Sequence, residues 1–387
     1  MEESVAVIGG AGHVGLPLAI SLAISGLKTT IYDLNESAIE NIAKGHFPFK
    51  ENSGEDKLRE ALKSGNLFVT SKPENLSKVT ALINIIGTPV DDHLNPDPDA
   101  IRRSLQELKD HLRDGQLLIL RSTVFPGVTS SVEKLIAEFH LKIDVVAAPE
   151  RITEGNAFIE LPKIPQIIGA RSEAVFERTR ALFGSFVKEC IVSTPEEAEL
   201  AKLFSNSWRY IQFAAANELY GIAIQAGQNF DSIRKLMAYK YPRAEDFPTP
   251  GFAAGPCLPK DSLQLMAYSR QASVLNSAAY SVNENLPNII VKKIASDIDL
   301  TNKTVGILGM AFKSGSDDAR SSLSYKLRKL LTFECKKVLC SDPYVKDERF
   351  TPMEQVLADS DVIIVAIDHH DYRQIESKKI IYKVWNL

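Results

Sequence analysis

The feature that most constrains the fold is an alternation of short apolar runs with longer amphipathic segments over residues 1–190. The apolar runs are rich in Val and Ile, which is typical of buried strands. They are VAVIG (5–9), TTIYD (29–33), ALINIIG (81–87), QLLILRS (116–122) and IDVVAAP (143–149). The segments between them, such as LPLAISLAISG and AIRRSLQELKDHLRDG, have helical periodicity and end in glycine. Alternating strands and helices predict a parallel, doubly wound α/β sheet.

The same alternation returns near the C-terminus after a different central stretch. Residues 196–227 repeat apolar residues at helical spacing without a breaker before Gly221, which predicts one long helix or two nearly continuous helices. Strand patterns resume at KTVGILG (303–309), KKVLCSD (336–342) and DVIIVAID (361–368). We therefore predict two Rossmann-like doubly wound domains joined by a long central helix, with boundaries at 1–195, 196–300 and 301–387.

The long central helix also bears on assembly. It is rich in alanine, and the flanks of a helix of this length cannot all be covered by neighbouring segments of one chain. The sequence therefore predicts a homodimer that forms through this helix.

A glycine-rich turn precedes the first helix. VIGGAGHVG places Gly10, Gly12 and Gly15 in GxGxxG register after a strand and before a helix. Such glycines allow a tight turn and close approach of the backbone to a pyrophosphate at a helix N-terminus. Asp33 ends the next strand, where its carboxylate can accept from both ribose hydroxyls and would repel the 2′-phosphate of NADP. The pattern predicts NAD as the cofactor; the alternative is a glycine-rich turn beside a solvated aspartate.

One cysteine lies in an unusual context, TPGFAAGPCLPKDS (249–262). Glycines and prolines indicate an exposed loop, and Cys257 is followed closely by Lys260 and Asp261. A thiol reacts as the thiolate, and a neighbouring ammonium lowers the pKa of a thiol, so Cys257 is a candidate nucleophile. Most lone cysteines are instead small buried hydrophobic residues, and the local sequence leaves that alternative open.

Composition argues against several classes of function. A net charge of −4 provides no basic surface for nucleic acid, and no run of about 18 apolar residues predicts a membrane span. The four cysteines have no CxxC spacing, which favours a reducing cytoplasm over a disulfide framework.

The DHHD segment (368–371) follows a strand pattern, so we predict a strand–helix turn there rather than a metal site. No other cluster has zinc-like spacing, and we expect no metal.

Several motifs together resemble those of the UDP-glucose/GDP-mannose dehydrogenase family. GPCLPKD and the N-terminal VGLPLA carry the first resemblance. Further segments match family motifs in the same order, namely STVFPGVT (122–129), APERITEG (148–155), AELAKLFSNSWR (198–209) and GMAFKSGSDDARSS (309–322). The resemblance covers almost the whole chain. It implies NAD-dependent oxidation of the C6 alcohol of a UDP-sugar to the carboxylate, in two hydride transfers through a cysteine thioester.

The resemblance also implies a set of catalytic residues. Cys257 is the nucleophile of the second oxidation. Lys202 and Asn206, spaced i, i+4, would present an ammonium and an amide to a developing oxyanion, and the alternative is a solvated helix face. Asp261 and Thr123 would hold or deprotonate the catalytic water.

Glu150 is implied to act in thioester hydrolysis as a general base or as an electrostatic partner. Which carboxylate takes which proton stays open at this point.

Binding residues follow from the same comparison. The implied cofactor set is Gly10, Gly12, His13, Val14, Gly15, Asp33, Thr88, Thr123, Lys260 and Arg320. His13 belongs to it only by its place in the glycine turn. The implied substrate set is Glu150, Arg151, Lys202, Asn206, Arg243, Gly255, Lys313 and Arg320.

Specific contacts are expected for four basic residues in these sets. Lys313 and Arg320 flank a turn rich in Gly, Ser and Asp and are expected to bind the diphosphate or the sugar. Arg243 resembles a family arginine that reaches into the neighbouring subunit's sugar site. Lys260 would support the thiolate and contact substrate or cofactor, or else form a salt bridge with Asp261.

Arg151 bears on the identity of the sugar. PER followed by PQIIG resembles the branch that oxidises UDP-N-acetylmannosamine or UDP-N-acetylglucosamine, with UDP-glucose as the alternative.

Two other functions are alternatives to this one, and each would need fewer of the residues named above. A two-electron dehydrogenase of the 6-phosphogluconate or hydroxyacyl type would not need Cys257 or a second α/β domain. A non-catalytic nucleotide-sugar-binding protein would not need a thiol.

Overall fold

The computed structural model describes residues 3–91, 93, 95–269, 273–375 and 378–387. The chain forms two compact units, Met1–Phe204 and Ser205–Leu387, and the boundary falls within one long helix. The division into three domains stays a prediction.

The first unit is built on an eight-stranded sheet. Its strands are β1 (Ser4–Ile8), β2 (Lys28–Tyr32), β3 (Leu67–Thr70), β4 (Ala81–Asn84), β5 (Leu117–Leu120), β6 (Asp144–Ala147), β7 (Gln166–Gly169) and β8 (Cys190–Ser193). They lie in the order β3-β2-β1-β4-β5-β6-β7-β8, and the first six follow the order of a dinucleotide-binding fold. The five strands that the sequence predicts for this unit are confirmed.

The joint between β6 and β7 departs from the predicted parallel sheet. The two strands meet antiparallel, through Ala147 and Gly169, whereas every other neighbouring pair in this sheet is parallel. A parallel return needs a crossover, usually a helix of several turns. The connection from β6 to β7 holds only the four-residue helix α6 (Ala157–Glu160), so β7 enters the sheet in the opposite direction.

Helices cover both faces of this sheet. They are α1 (Gly15–Ile24), α2 (Glu36–Ala43), α3 (Gly54–Lys63), α4 (Ala100–Glu107), α5 (Val128–Glu138), α6 and α7 (Glu173–Phe183). Helix α8 (Pro195–Gln225) follows β8 and continues into the second unit. Alternate residues of β1 enter different cores: Val5 and Val7 join one apolar cluster, and Ala6 and Ile8 join the other. Because both faces of the central strands are buried, these strands are apolar throughout.

The second unit contains a smaller parallel sheet. Its strands are β9 (Thr304–Leu308), β10 (Lys337–Ser341), β11 (Val362–Val365) and β12 (Ile380–Lys383), in the order β10-β9-β11-β12. Its further helices are α9 (Phe230–Ala238), α10 (Leu258–Tyr268), α11 (Val274–Asp297), α12 (Leu323–Glu334) and α13 (Met353–Asp359). The three predicted strands are confirmed, and apolar clusters again lie on both faces.

Helix α8 settles the choice between one long helix and two. It is continuous over 31 residues and passes through Gly221 without a break. Among the described residues, no helix is both long and apolar enough to cross a membrane.

Two glycines allow a paired test of packing in the second unit. A Cβ on Gly306 in β9 would lie 2.5 Å from Ser360 Oγ and 2.6 Å from Val356 Cγ1, and both of these side chains are buried. We expect Gly306→Ala to lower stability by about 1–3 kcal/mol, measured as the midpoint of urea unfolding.

The control is Gly221→Ala in α8. A Cβ there would lie 3.4 Å from the flexible end of the Ile289 side chain, and alanine is favoured in a helix interior by up to about 1 kcal/mol. The two midpoints should therefore move in opposite directions. A Gly306→Ala variant as stable as the wild-type protein would contradict the packing described for β9.

Candidate active site

The turn after β1 is shaped for close approach of a ligand to the backbone. A Cβ on Gly10 would lie 2.7 Å from the Val7 carbonyl, and one on Gly15 would lie 2.7 Å from the Gly10 Cα. Gly12 is exposed, and a Cβ there would have no neighbour closer than 3.9 Å. In the part of the chain that the structure describes, no side chain caps α1 at Val14. The helix N-terminus thus offers its backbone amides to an anion, which fits a dinucleotide pyrophosphate.

Asp33 lies beside this turn. It follows β2, its Oδ2 accepts a hydrogen bond of 3.1 Å from the Ala11 amide, and its Oδ1 accepts one of 3.0 Å from the Asn35 amide. These bonds fix the carboxylate next to the glycines, where the sequence places the residue that meets the ribose.

His13 connects the glycine turn to a second motif. Its ring stacks on Phe49 with centroids 4.0 Å apart, and its Nε2 lies 3.3 Å from Glu154 Oε1. Glu154 belongs to the APERITEG segment. No chemical role is predicted for His13 from the sequence, and the structure shows that it links the two segments.

Two further predicted residues meet at the ends of β4 and β5. The Thr88 hydroxyl donates to the Thr123 carbonyl at 2.6 Å, which joins the turns after these strands. Thr123 also lines a recess with Pro149, Glu199 and Lys202. The structure therefore brings two predicted catalytic residues, Thr123 and Lys202, to one place in the first unit.

Glu150 is held by a dense set of donors. Its Oε1 accepts hydrogen bonds of 2.6 and 2.7 Å from the Arg151 and Ile152 amides, and its Oε2 forms an ion pair with Arg121. Arg121 is fully buried and also donates to the Ala148 carbonyl and to Gln166 Oε1. Burial lowers the pKa of Arg121, and the negative charge of Glu150 partly offsets this lowering.

Sequence reasoning missed Arg121. The available signal was a charged residue that directly follows an apolar strand pattern, in QLLILRS. A cation in that position must be paired once the strand is buried.

Arg151 points its guanidinium at the protein backbone. Its Nη2 donates to the Pro165 carbonyl, and burial lowers its pKa. A contact of Arg151 with an acetamido group or a phosphate stays a prediction.

Glu199 is a second functional residue that the sequence analysis did not single out, although it lies in the AELAK segment. It is buried on α8 and accepts hydrogen bonds of 2.7 Å from the Gly127 and Thr129 amides at the start of α5. Burial raises the pKa of Glu199 although these hydrogen bonds oppose the shift. Glu199 thereby anchors the turn of α8 that carries Lys202.

In the second unit, two predicted residues, Asn206 and Lys260, contact the carboxylate of a third, Asp261. Asp261 is buried on α10. Its Oδ2 accepts a hydrogen bond of 2.6 Å from the side-chain amide of Asn206, and its Oδ1 lies 3.1 Å from Lys260 Nζ. The salt bridge that the sequence offered as an alternative role for Lys260 is therefore present. Cys257 occupies the N-cap of the same helix, one turn before Asp261, and its carbonyl accepts from the Asp261 amide at 2.9 Å.

Cys257 differs from the other three thiols. None of the four cysteines, all of which the structure describes, forms a disulfide, and Cys257 is the exposed one. Burial raises the pKa of Cys190 and Cys335, and it raises the pKa of Cys340 to about 11. A helix N-terminus stabilises a thiolate, so the geometry favours Cys257 as the reactive sulfur.

The loop before Cys257 is fixed at two points. Gly255 has a φ of +98°, and a Cβ there would lie 2.4 Å from the Phe312 ring, so only glycine fits. At the start of the loop, the Asn217 side chain bonds both the amide and the carbonyl of Gly251. A third hydrogen bond joins the Asn217 side chain to Asn283 on α11. In the sequence, Asn217 is marked only as a polar residue within an alanine-rich run.

The remaining predicted cations lie on turns of the second unit. Arg320 pairs with the buried Asp318, and Lys313 Nζ lies 5.4 Å from the Phe312 ring centroid. Arg243 is exposed, with its guanidinium 5.7 Å from the Tyr241 ring centroid. Their contacts with substrate stay predictions.

The DHHD segment forms the predicted turn, which leads from β11 into a short 3₁₀ helix (His370–Tyr372).

Comparison with known proteins matches the chain to one family along almost its whole length. In the UDP-glucose/GDP-mannose dehydrogenase family, the NAD binding domain matches residues 3–187, the central domain matches 196–285 and the UDP binding domain matches 306–386. The UDP-N-acetyl-D-mannosamine dehydrogenase of Pyrococcus horikoshii is 31% identical over 384 residues, which cover 96% of this chain and 91% of that protein.

Two solved structures resemble the whole chain. A UDP-D-ManNAc dehydrogenase from Pyrococcus horikoshii has a TM-score of 0.90 at 30% identity and covers 98% of this chain and 94% of its own. A UDP-glucose dehydrogenase from the hyperthermophilic archaeon Pyrobaculum islandicum has a TM-score of 0.92 at 25% identity and covers 100% and 94%.

The contrast between the four thiols predicts a single reactive site. Treatment with limiting iodoacetamide near neutral pH should alkylate Cys257 at least about tenfold faster than Cys190, Cys335 or Cys340, because it is exposed at a helix N-terminus. Peptide mass mapping over time measures this order. The fast phase should vanish in Cys257→Ser and persist in Cys335→Ser. Earlier alkylation of Cys190 or Cys335 would show that Cys257 is not the reactive thiol.

Proposed function

The chain belongs to the UDP-glucose/GDP-mannose dehydrogenase family, and we propose that it oxidises the C6 hydroxyl of a UDP-N-acetylhexosamine to a carboxylate. It is a nucleotide-sugar dehydrogenase, an NAD-dependent oxidoreductase. The observation that carries the proposed mechanism is the arrangement on α10, where an exposed Cys257 at the helix N-terminus lies one turn from the buried Asp261.

The first unit fits the cofactor. The glycines after β1 and the start of α1 would hold the pyrophosphate of NAD, and Asp33 would take the ribose hydroxyls. NAD supplies the hydride acceptor for each of the two oxidations when it is bound. The protein supplies binding, orientation and the nucleophile.

Cys257 provides the covalent step. After the first oxidation, its thiolate adds to the C6 carbonyl carbon of the aldehyde and forms a thiohemiacetal. Oxidation of that carbon gives a thioester. Water then adds to the thioester carbonyl, the carbon–sulfur bond breaks, and the carboxylate and the Cys257 thiolate are released. The N-terminus of α10 stabilises the anionic sulfur as attacking group and as leaving group.

Asp261, Asn206 and Lys260 form a fixed polar group around this step. An amide carries two N–H donors, so donation of one from Asn206 to Asp261 sets the direction of the other. We assign that second N–H, together with the Lys202 ammonium, to the developing oxyanion. Asp261 is assigned with Thr123 to the catalytic water.

Glu150 is assigned the electrostatic role. Both of its oxygens accept hydrogen bonds, from the Arg121 guanidinium and from two backbone amides. These donors hold the carboxylate in one fixed orientation, as a positioned charge requires. The fixed orientation favours an electrostatic partner over the general base that the sequence also allowed.

The N-acetylhexosamine assignment has two supports. The PER and PQIIG segments resemble the branch that oxidises UDP-N-acetylmannosamine or UDP-N-acetylglucosamine, and the relative of 31% identity bears the name UDP-N-acetyl-D-mannosamine dehydrogenase. UDP-glucose is the second candidate, because the Pyrobaculum islandicum UDP-glucose dehydrogenase has a TM-score of 0.92.

Assembly as a homodimer is proposed from helix α8. It exposes Phe204, Trp208, Leu219 and Ile222, whose spacings of 4, 11 and 3 place them on one face of a helix. An exposed apolar face of this length is typical of a protein–protein interface. We propose that a second copy of the chain covers it.

The substrate and the mechanism are tested together by NADH stoichiometry. We expect two NADH per uronate with UDP-N-acetylmannosamine or UDP-N-acetylglucosamine, and less turnover with UDP-glucose or GDP-mannose, because the site is proposed to accept the N-acetylated sugar. Cys257→Ser should form at most one NADH per active site, since the second oxidation needs the thiol. Absorbance at the NADH band, with chromatographic quantification of the uronate, measures both.

The matched control is Cys335→Ser, which removes a half-buried thiol and should keep two NADH per uronate. Turnover confined to UDP-glucose would retain the mechanism and overturn the sugar assignment. One NADH per turnover, unchanged in Cys257→Ser, would contradict the thioester mechanism.

The dimer is tested by charge on the exposed face of α8. Trp208→Glu should shift the protein from dimer to monomer in sedimentation velocity, because an uncompensated charge cannot be buried at an apolar interface. Phe333→Glu, on the exposed surface of α12, is the control and should leave the sedimentation coefficient unchanged. A wild-type protein that sediments as a monomer would refute the proposal.

A further inference from the structure

His369 is a fully buried histidine that the proposed chemistry does not use. Its Nδ1 lies 3.1 Å from the Gly315 amide nitrogen, and its Nε2 lies 3.2 Å from Asp342 Oδ2. A backbone N–H can only donate, so Nδ1 accepts, and the proton of the neutral ring is on Nε2, from which it is donated to Asp342. The two partners therefore fix the ring in one tautomer.

Asp342 supplies the anionic end of this contact. It follows β10, and its Oδ2 also accepts hydrogen bonds of 2.6 and 2.9 Å from the Met310 and Ala311 amides. Its Oδ1 accepts from two amides of its own loop at 2.8 and 2.9 Å. Burial alone would raise the pKa of Asp342, but these hydrogen bonds and the one from His369 hold it below its ordinary value. The carboxylate thus holds both the start of the turn after β9 and the imidazole.

The turn that His369 contacts is the one that carries Lys313. Gly315 follows Lys313 by two residues and has a φ of +71°. The hydroxyl of Ser314, between them, donates to the Asp368 carbonyl. Two consecutive residues after Lys313 are therefore held by the segment that follows β11.

We propose that His369 is a positioning residue for the nucleotide part of the substrate. By accepting from the Gly315 amide while it donates to Asp342, it fixes the backbone that follows Lys313 and so the place from which the Lys313 ammonium meets the diphosphate. This inference rests on the proposed function, which assigns Lys313 to the UDP-sugar. His369 acts through the turn and takes no part in the oxidation of C6, so its loss weakens nucleotide binding and leaves kcat unchanged.

Two substitutions at residue 369 separate the contacts of the ring. The Oδ1 of Asn takes the place of Nδ1 and can accept from Gly315, whereas the Nε2 of Gln takes the place of the ring Nε2 and can donate to Asp342. His369→Gln should therefore weaken UDP binding by about fivefold, as expected for one lost hydrogen bond, and His369→Asn should retain it. Calorimetric titration with UDP measures the affinity without turnover, and His370→Ala, at the exposed neighbouring histidine, is the control.

Kinetics and a double variant exclude a merely structural effect. His369→Gln should raise the KM for the nucleotide sugar and leave kcat and the KM for NAD unchanged. In the Lys313→Ala background, His369→Gln should cause no further loss of UDP affinity, because the residue acts through Lys313. If His369→Gln does not fold, Ser314→Ala removes the adjacent bond from an exposed position and should weaken UDP binding in the same way.

The outcomes distinguish this inference from the function on which it rests. Wild-type protein that does not bind UDP would contradict the proposed function. Wild-type binding that His369→Gln and Ser314→Ala both retain would overturn the positioning role alone, as would equal, additive losses in the Lys313→Ala background.

Discussion

The buried ion pair between Arg121 and Glu150 is the interaction on which the first unit depends. Taking an isolated guanidinium or carboxylate out of water costs several kcal/mol, so each residue can be buried only in the presence of the other. Arg121 follows β5, and its other bonds reach the Ala148 carbonyl after β6 and Gln166 in β7. The pair therefore closes the antiparallel joint of the sheet, and the same joint fixes a carboxylate assigned to the reaction.

Two motifs in this chain combine a residue assigned to the reaction with a residue that holds it. Lys202 comes with Glu199, which ties α8 to the start of α5. Cys257 comes with Gly255, which lets the loop pass the Phe312 ring. A reacting side chain must be held in place, and here the supporting residue lies on the same turn or helix. A short sequence motif therefore contains both residues and can identify the site.

The strands with a clear local pattern could be predicted from the sequence. Side-chain contacts between residues far apart in the chain could not. Strands buried on both faces, such as β1, are confirmed because their apolar runs are complete. The edge strands β3 and β8 give no clear pattern, since they are partly exposed, as Phe68, Ile191 and Val192 are. Arg121 and Asn217 have partners 29 and 34 residues away, and no spacing rule connects them. Asp261, Asn206 and Lys260 were predicted as site residues, and the salt bridge of Lys260 was one alternative, but the hydrogen bond from Asn206 to Asp261 was not predicted.

The backbone at Gly255 restricts how this enzyme can evolve. Shortening Phe312 would open space for a Cβ, yet the positive φ would still disfavour every residue except glycine. The preceding Ala253 and Ala254 are buried, so larger side chains there would have no room. A lineage that adapts to a bulkier sugar is therefore barred from remodelling this side of the thiol.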